Sequence, residues 1–229
     1  TYTVVSGNTD RAAGATPISI ILTDSFGNTN SAFTTLTESA ALVIDANAPA
    51  ATTSLTIPGG TAKVGTVITI TIVASEASLT CTGCTLNGVA LAAFALSSGS
   101  TYTATYTVVE GNTDRAAGAT PISIILTDSF GNTNSAFTTL TESSALTVDA
   151  TKPTLTITMA SDNDDTTMAT TGDDIVLTLT ASESVTALVC TIDGEATTMG
   201  GSGTSWTSTL EVSGDETEQA TVFSCASHQ

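Results

Sequence analysis

Glu76, Asp128, Asp45 and Asn47 are the residues of this chain whose types best suit chemistry, because carboxylate and amide or carbonyl oxygens are the ligands that Ca²⁺ accepts. The set recurs in part. Asp149 and Glu183 stand at corresponding positions further along, and Asp24 and Asn28 repeat the Asp128 to Asn132 stretch. If the loops that carry them meet, an ion there would stiffen a joint between domains. Against this stands a plainer reading. Asp128-Ser-Phe-Gly-Asn132 has the make-up of a tight turn whose Asp bonds local N–H groups, and Glu76 reads equally as a solvated loop carboxylate. Three carboxylates are also few for an ion that takes about 6 to 8 oxygens. A second acidic group, Asp162, Asp164 and Asp165 with Asp173 and Asp174, lacks the Gly of an EF-hand loop and reads as a charged surface loop.

Four cysteines are the other chemically able side chains. Cys190 and Cys225 are expected on neighbouring strands of one sheet, where a cross-strand disulfide is geometrically reasonable. Cys81 and Cys84 are left to each other, and since an extended strand holds such residues too far apart to bridge, their pairing predicts a turn or bulge at Gly83. Cys81-x-x-Cys84 and Cys225-x-x-His228 have the spacing of zinc ligands, but the two pairs fall in different domains, so disulfides are expected instead. Disulfides imply an oxidising, extracellular compartment.

Little else suggests reaction chemistry, and no catalytic role is expected. The one histidine, His228, leaves the many Ser and Thr hydroxyls without an evident general base. Tyr2, Tyr102, Tyr106 and Trp206 fall at repeat-equivalent alternating positions and read as core. Asp10 beside Arg11 and Asp114 beside Arg115 read as local pairs. Four Lys and Arg against 22 Asp and Glu give a net charge of −18, which argues against nucleic acid or an anionic membrane as partner. No apolar run reaches the roughly 20 residues of a membrane helix, so this segment is not expected to insert in a membrane. There is no Asn-x-Ser/Thr sequon, whereas Thr makes up about a fifth of the chain and leaves O-glycosylation open.

The elements that must position these residues are repeated. Thr105 to Ala150 recurs at Thr1 to Ala46, 104 positions earlier, with changes only at Ser6/Glu110, Ala40/Ser144, Val43/Thr147 and Ile44/Val148. Self-similarity at a fixed period marks a tandem array. Between the copies, period-two alternation predicts strands at Leu55 and Ile57, at Ile68 to Ala74, and from Cys81 to the Asn87-Gly88 turn. More follow at Val89 to Leu96, Tyr102 to Val108, Ile122 to Leu126, and Leu146 to Val148. Seven short strands in about 100 residues predict an all-β immunoglobulin-like sandwich. Linkers at Asp45 to Pro49 and Asp149 to Pro153 divide the chain into 1–46, the C-terminal part of a domain; 47–150, a complete one; and 151–229, a divergent domain cut short at its end. In that last domain Asp193-Gly194 replaces Asn87-Gly88, and Trp206 stands where Tyr102 stands. Both ends of the sequence therefore read as cuts through a longer chain.

In this topology the loop after the second strand, the loop between the last two strands and the incoming linker share one end. Glu76, Asp128, Asp45 and Asn47 are accordingly expected to converge.

The succession of Asp45 and Pro49 in a linker, Ala74-Ser75-Glu76, Asn87-Gly88, Tyr102 and Asp128 to Asn132 resembles the bacterial-type immunoglobulin-like tandem repeats of large extracellular surface proteins. The resemblance implies a linear array of sandwiches, as in adhesins and in surface proteins of unicellular eukaryotes. The expected function is structural: the shaft of an extracellular filament, hair or stalk, in contact with neighbouring repeats and copies of itself. The alternative is a calcium-stiffened spacer of a surface adhesin whose binding domain lies outside this sequence. An accessory module of a secreted enzyme is a more distant third. Lys appears only as Lys63 and Lys152, so strand edges need protection by sugars or lateral packing.

Overall fold

The computed structural model describes residues 1–35, 41–49, 54–140, 145–186, 188–192, 194–197, 199–214 and 221–227. It is all-β, with no helix among the described residues. The chain forms two compact units, Thr1–Thr151 and Lys152–Gln229, so Thr1 to Ala46 belongs with the stretch that follows it.

The first unit contains β1 (Ser54–Thr56), β2 (Gly60–Lys63), β3 (Val67–Val73), β4 (Thr80–Cys81), β5 (Thr85–Leu86) and β6 (Val89–Ala90). Then come β7 (Ala92–Ser98), β8 (Thr101–Thr107), β9 (Ile122–Ser123), β10 (Leu126–Thr127) and β11 (Leu146–Asp149). A four-stranded sheet has the order β1-β3-β8-β7. Its centre follows from sequence alternation: Ile68, Ile70 and Ile72 point inward while Thr69 and Thr71 point away, and β8 repeats this with Tyr102, Ala104 and Tyr106. Ile72 lies opposite Tyr102, and Ile68 opposite Tyr106. The shorter ladders β6-β5-β9, β4-β10 and β2-β11 supply Leu86, Ile122, Leu126, Leu146 and Val148 to the same apolar core. Burying each such side chain stabilises the fold by about 1.5–3 kcal/mol. Phe94 stacks on Tyr102 at 4.8 Å, and the Tyr102 hydroxyl accepts the buried Leu79 N–H at 3.0 Å.

Four features differ from the alternation pattern, the first being that the expected strand from Ile122 to Leu126 is two, β9 pairing with β5 and β10 with β4. The expected strand from Cys81 to Leu86 is broken at Thr82-Gly83, where Thr82 N–H bonds the Ile125 carbonyl. The expected strand from Val89 to Leu96 is two strands. β6 pairs with β5 and β7 with β8, and the chain crosses between ladders near Ala93, whose φ is 51°. An additional strand, β2, pairs in parallel with β11. Its Gly-Thr-Ala-Lys sequence carries no apolar alternation, so this pairing is set by tertiary context.

Among the described residues of Thr1 to Ala46 the pairing consists of isolated bridges, Arg11↔Ile44, Ile20↔Phe33 and Thr23↔Thr29. Tyr2, expected in a core, is exposed, whereas its counterpart Tyr106 is buried beside β3.

The second unit contains β12 (Leu155–Ser161), β13 (Asp174–Val185), β14 (Leu188–Ile192), β15 (Glu195–Thr197), β16 (Met199–Glu211) and β17 (Phe223–Ser227). These form two sheets, β12-β13-β16 and β15-β14-β17. Leu179 lies opposite Trp206, as Ile72 lies opposite Tyr102. Leu177, Leu179, Cys190 and Ile192 form its core, with Trp206 packed against them. Asp193 lies outside the described residues.

Candidate functional site

Asp128 is fixed by its own turn. Gly131, at φ 90°, permits the chain to reverse, and the Asp128 carboxylate then accepts three bonds: Phe130 N–H at 2.8 Å, Asn132 N–H at 2.9 Å and Asn132 Nδ2 at 2.9 Å. Asn132 Nδ2 also reaches the Asp45 carbonyl and carboxylate oxygens, each at 3.3 Å, which ties the linker to this loop. Glu76 follows β3 and completes the group. One oxygen each from Asp45, Glu76 and Asp128 lies within 4.8 Å of the others. Burial opposes ionisation of Asp128, but the bonds from Asn132, Phe130 and Gly131 outweigh it and hold the carboxyl below its ordinary value. Burial, reinforced by the charges of Asp128, Asp45 and Asp10, holds Glu76 above its own. The arrangement gathers negative charge and oxygen ligands at one end of the sandwich-like core.

The other expected members lie elsewhere. Asn47 turns aside: its amide donates to Asp10 Oδ2 at 2.8 Å and its N–H bonds Asp45. Asp10 is available because its carboxylate already accepts Ala46 N–H at 2.8 Å, beside the linker. Asp149 is exposed at the end of β11 and accepts Thr151 N–H, while Glu183 lies on β13 of the other unit. Asp24 and Asn28 reproduce the Asp128 turn, with Asp24 accepting Phe26 and Asn28 N–H groups. In the second acidic group the carboxylates serve local turns. Asp173 accepts from Asn163 and Thr170, Asp165 from Thr167, and Asp162 from Asp174 N–H.

Cys81 is bonded to Cys84, and Cys190 to Cys225, whose strands β14 and β17 place them directly opposite each other. The first bridge closes over the break at Gly83. A side chain there would meet Ile125 Cδ1 at 2.8 Å and its Cβ at 3.2 Å, so Ile125 would have to shift to make room. His228 lies outside the described residues. Two disulfides suit an oxidising, extracellular environment. No described helix is long and apolar enough to cross a membrane.

Sequence reasoning missed one polar centre. The Asn87-Gly88 turn has φ values of 55° and 77°, the geometry that joins two strands of a tight hairpin. It carries the Asn87 side chain into the protein. There Asn87 N–H bonds the Pro121 carbonyl at 2.8 Å, and Nδ2 donates to the Thr113 carbonyl at 2.7 Å and the Tyr106 hydroxyl at 3.3 Å. Oδ1 accepts from Arg115 Nε at 2.7 Å. The Tyr106 hydroxyl in turn donates to Asn112 Oδ1 at 2.8 Å. Arg115 therefore does not pair with its neighbour Asp114, which accepts Ala150 N–H at 2.7 Å and Thr151 Oγ1 at 3.0 Å. Adjacent residues in an extended segment face opposite ways, which separates them. The signal available in the sequence was an Asn-Gly turn whose Asn, once buried, needs both a donor and acceptors.

No protein-family model matches the chain, and no curated protein is similar enough to count as a match.

Proposed function

We propose that this chain is a run of tandem immunoglobulin-like β-sandwich repeats serving as the shaft of an extracellular filament, hair or stalk. The observation that carries the reading is the duplication. Bridges Arg11↔Ile44, Ile20↔Phe33 and Thr23↔Thr29 recur as Arg115↔Val148, Ile124↔Phe137 and Thr127↔Thr133, so what repeats is a folding unit and not just a composition. The sheet order β1-β3-β8-β7, with shorter ladders across the core, supports an immunoglobulin-like arrangement. Each module adds roughly 40 Å, from strands of about 8 to 10 residues at ~3.3 Å per residue plus loops, and copy number sets reach. The partners are neighbouring repeats and copies of the chain itself, meeting through outward Thr faces or edge strands. Thr on those faces also offers attachment points for O-linked glycans. The role is structural and not enzymatic, since the sequence pairs no base with its hydroxyls.

A second reading is favoured by one observation, the convergence of Asp45, Glu76 and Asp128 where a linker meets two loops. On that reading Ca²⁺ stiffens the joint, and the repeats are the spacer of an adhesin. Electron microscopy of native material with and without a chelator separates the two. Ordered fibres of constant diameter that survive chelation are expected for a shaft. Single strands that are stiff only with calcium would overturn the shaft and support the spacer.

A further inference from the structure

The two disulfides do different work in their units. Cys190 and Cys225 lie 35 positions apart and face each other at the centre of the β14-β17 ladder, with Cys190 in the core of its unit. That bridge ties two distant strands together. Cys81 and Cys84 lie 3 positions apart, and the loop that they close is only Thr82-Gly83. What fixes this loop is present without the bridge. Cys81 pairs with Leu126 in the β4-β10 ladder, Thr82 N–H bonds the Ile125 carbonyl at 3.0 Å, and the Thr82 and Thr127 hydroxyls share a bond of 2.9 Å. On the other side the Cys84 carbonyl accepts Leu91 N–H at 2.9 Å, and Thr85 pairs with Ser123. The constraint on the unfolded chain is small as well. It grows as about the 1.5 power of loop length, so the short bridge constrains the chain on the order of thirtyfold less than the long one.

We propose that the bridge between Cys81 and Cys84 is a thiol–disulfide exchange site, one that opens with the fold intact and takes a low-molecular-weight thiol at Cys81. The bridge between Cys190 and Cys225 is the structural one. Exposure alone does not separate the two pairs, since Cys225 is half-buried as Cys81 is. Attachment does: one loop is held by its own hydrogen bonds, and the other bridge joins strands that are far apart in sequence.

Burial sets the direction of the exchange. Cys81 is half-buried between the exposed Thr80 and Thr82, whereas Cys84 is 5% exposed within the core. A thiolate from solvent therefore attacks the Cys81 sulfur. Its sulfur bonds to Cys81 as the bridge breaks, and Cys84 leaves as a thiolate that takes a proton from water. The Cys84 sulfur lies 3.6 Å from the Ile125 carbonyl oxygen, which accepts the new S–H, so opening buries no unpaired donor. A second thiol then attacks the added sulfur and frees Cys81. Two thiols are oxidised to one small disulfide, and one bridge is reduced to two cysteines. Where no second thiol arrives, Cys84 expels the adduct and the bridge closes again.

The test equilibrates the full chain in dithiothreitol buffers of graded reduced-to-oxidised ratio. Free thiols are trapped by alkylation and assigned by peptide mass spectrometry, and amide hydrogen exchange is followed in the same samples. Cys81 and Cys84 are expected to open at a ratio about tenfold or more below that for Cys190 and Cys225. Protection at Thr82 and Ile72 is expected to change by less than about threefold as they do. Opening of both bridges at one ratio, or a larger loss of protection at either amide, would overturn the proposal and make the short bridge structural too. Single-cysteine variants, checked for β-structure by circular dichroism, then locate the entry sulfur with oxidised glutathione as the probe. Cys84→Ser is expected to form the mixed disulfide at Cys81 about tenfold or more faster than Cys81→Ser forms it at Cys84. Equal rates would overturn the assignment of Cys81.

Discussion

Thr1 to Ala46 and Thr105 to Ala150 hold nearly one sequence in two environments. Their turns agree closely: Gly27 and Gly131 have φ values of 89° and 90°, and Asp24 and Asp128 each accept the N–H groups two and four residues on. Their burial does not agree. Leu22 is 60% exposed and Leu126 fully buried; Leu42 is 54% exposed and Leu146 2%. The bridges and turns are thus encoded locally, in Gly, Asn and Asp positions that need no partner. The apolar residues of Thr105 to Ala150 join the core that β3 and β8 build, whereas those of Thr1 to Ala46 stay largely exposed.

The sharpest way to break this comparison is to delete the same side chain in both copies. Leu126→Ala removes a fully buried side chain and is expected to lower the stability of the first unit by ~3 kcal/mol in denaturant melts. Leu22→Ala should change it by less than ~0.5 kcal/mol. Similar losses from the two would mean that both copies are packed alike.

A smaller effect separates the polar centres. Arg115→Leu leaves Asn87 Oδ1 without its donor inside the protein, a loss of about 2 kcal/mol. Arg11→Leu removes a side chain with no Asn87 to hold, and the expected change stays within ~0.5 kcal/mol. If Arg115→Leu proved neutral in the same melts, the Asn87 centre would be packing rather than recognition.

These pairs also show what could be read from sequence. Strands β3 and β8 were legible because Ile and Tyr alternate with Thr over a full strand length, and β14 and β17 because Cys190 and Cys225 fit adjacent strands. The approach of Asp45, Glu76 and Asp128 followed from which loops share an end of the fold. The place of Asn47 did not, because it depends on whether its amide finds Asp10 or the cluster, a contest decided by a few ångströms. Strand β2 was illegible for a different reason. Its pairing with β11 is a long-range contact, and nothing in Gly60 to Lys63 announces a partner. The exposure of Tyr2 was missed because alternation reports which face a residue occupies and not whether anything covers that face.

The smallest expected effect concerns the acidic groups, where the copies again share a turn and differ in what faces it. Asp24 is held below its ordinary value by the Asn28 side chain and the turn's N–H groups, as Asp128 is by Asn132 and its own turn once burial has been offset. Such a lowered carboxyl contributes stability above its unfolded value near 3.8, and that contribution is lost as pH falls. Glu76 has the opposite sign. Burial, with Asp128 and Asp45 opposite, raises its carboxyl above the ordinary 4.5, so the protonated form favours the fold, and this contribution is lost as pH rises past that value. Glu76→Gln should therefore flatten the decline of stability from the mildly acidic range toward neutrality and slightly raise the neutral value, while leaving the acid-side loss due to Asp128 in place. Asp24→Asn should take less from the acid-side limb than loss of Asp128 would, since Asp24 is exposed and Asp128 buried. Thermal melts across this range, repeated in excess Ca²⁺, give the comparison its last discrimination. An ion held by Asp45, Glu76 and Asp128 would reverse the order at neutral pH, making the parent chain more stable than Glu76→Gln. An unchanged order would leave Glu76 as a repelled carboxylate, and the tie between Asp45 and the Asp128 turn would then rest on Asn132.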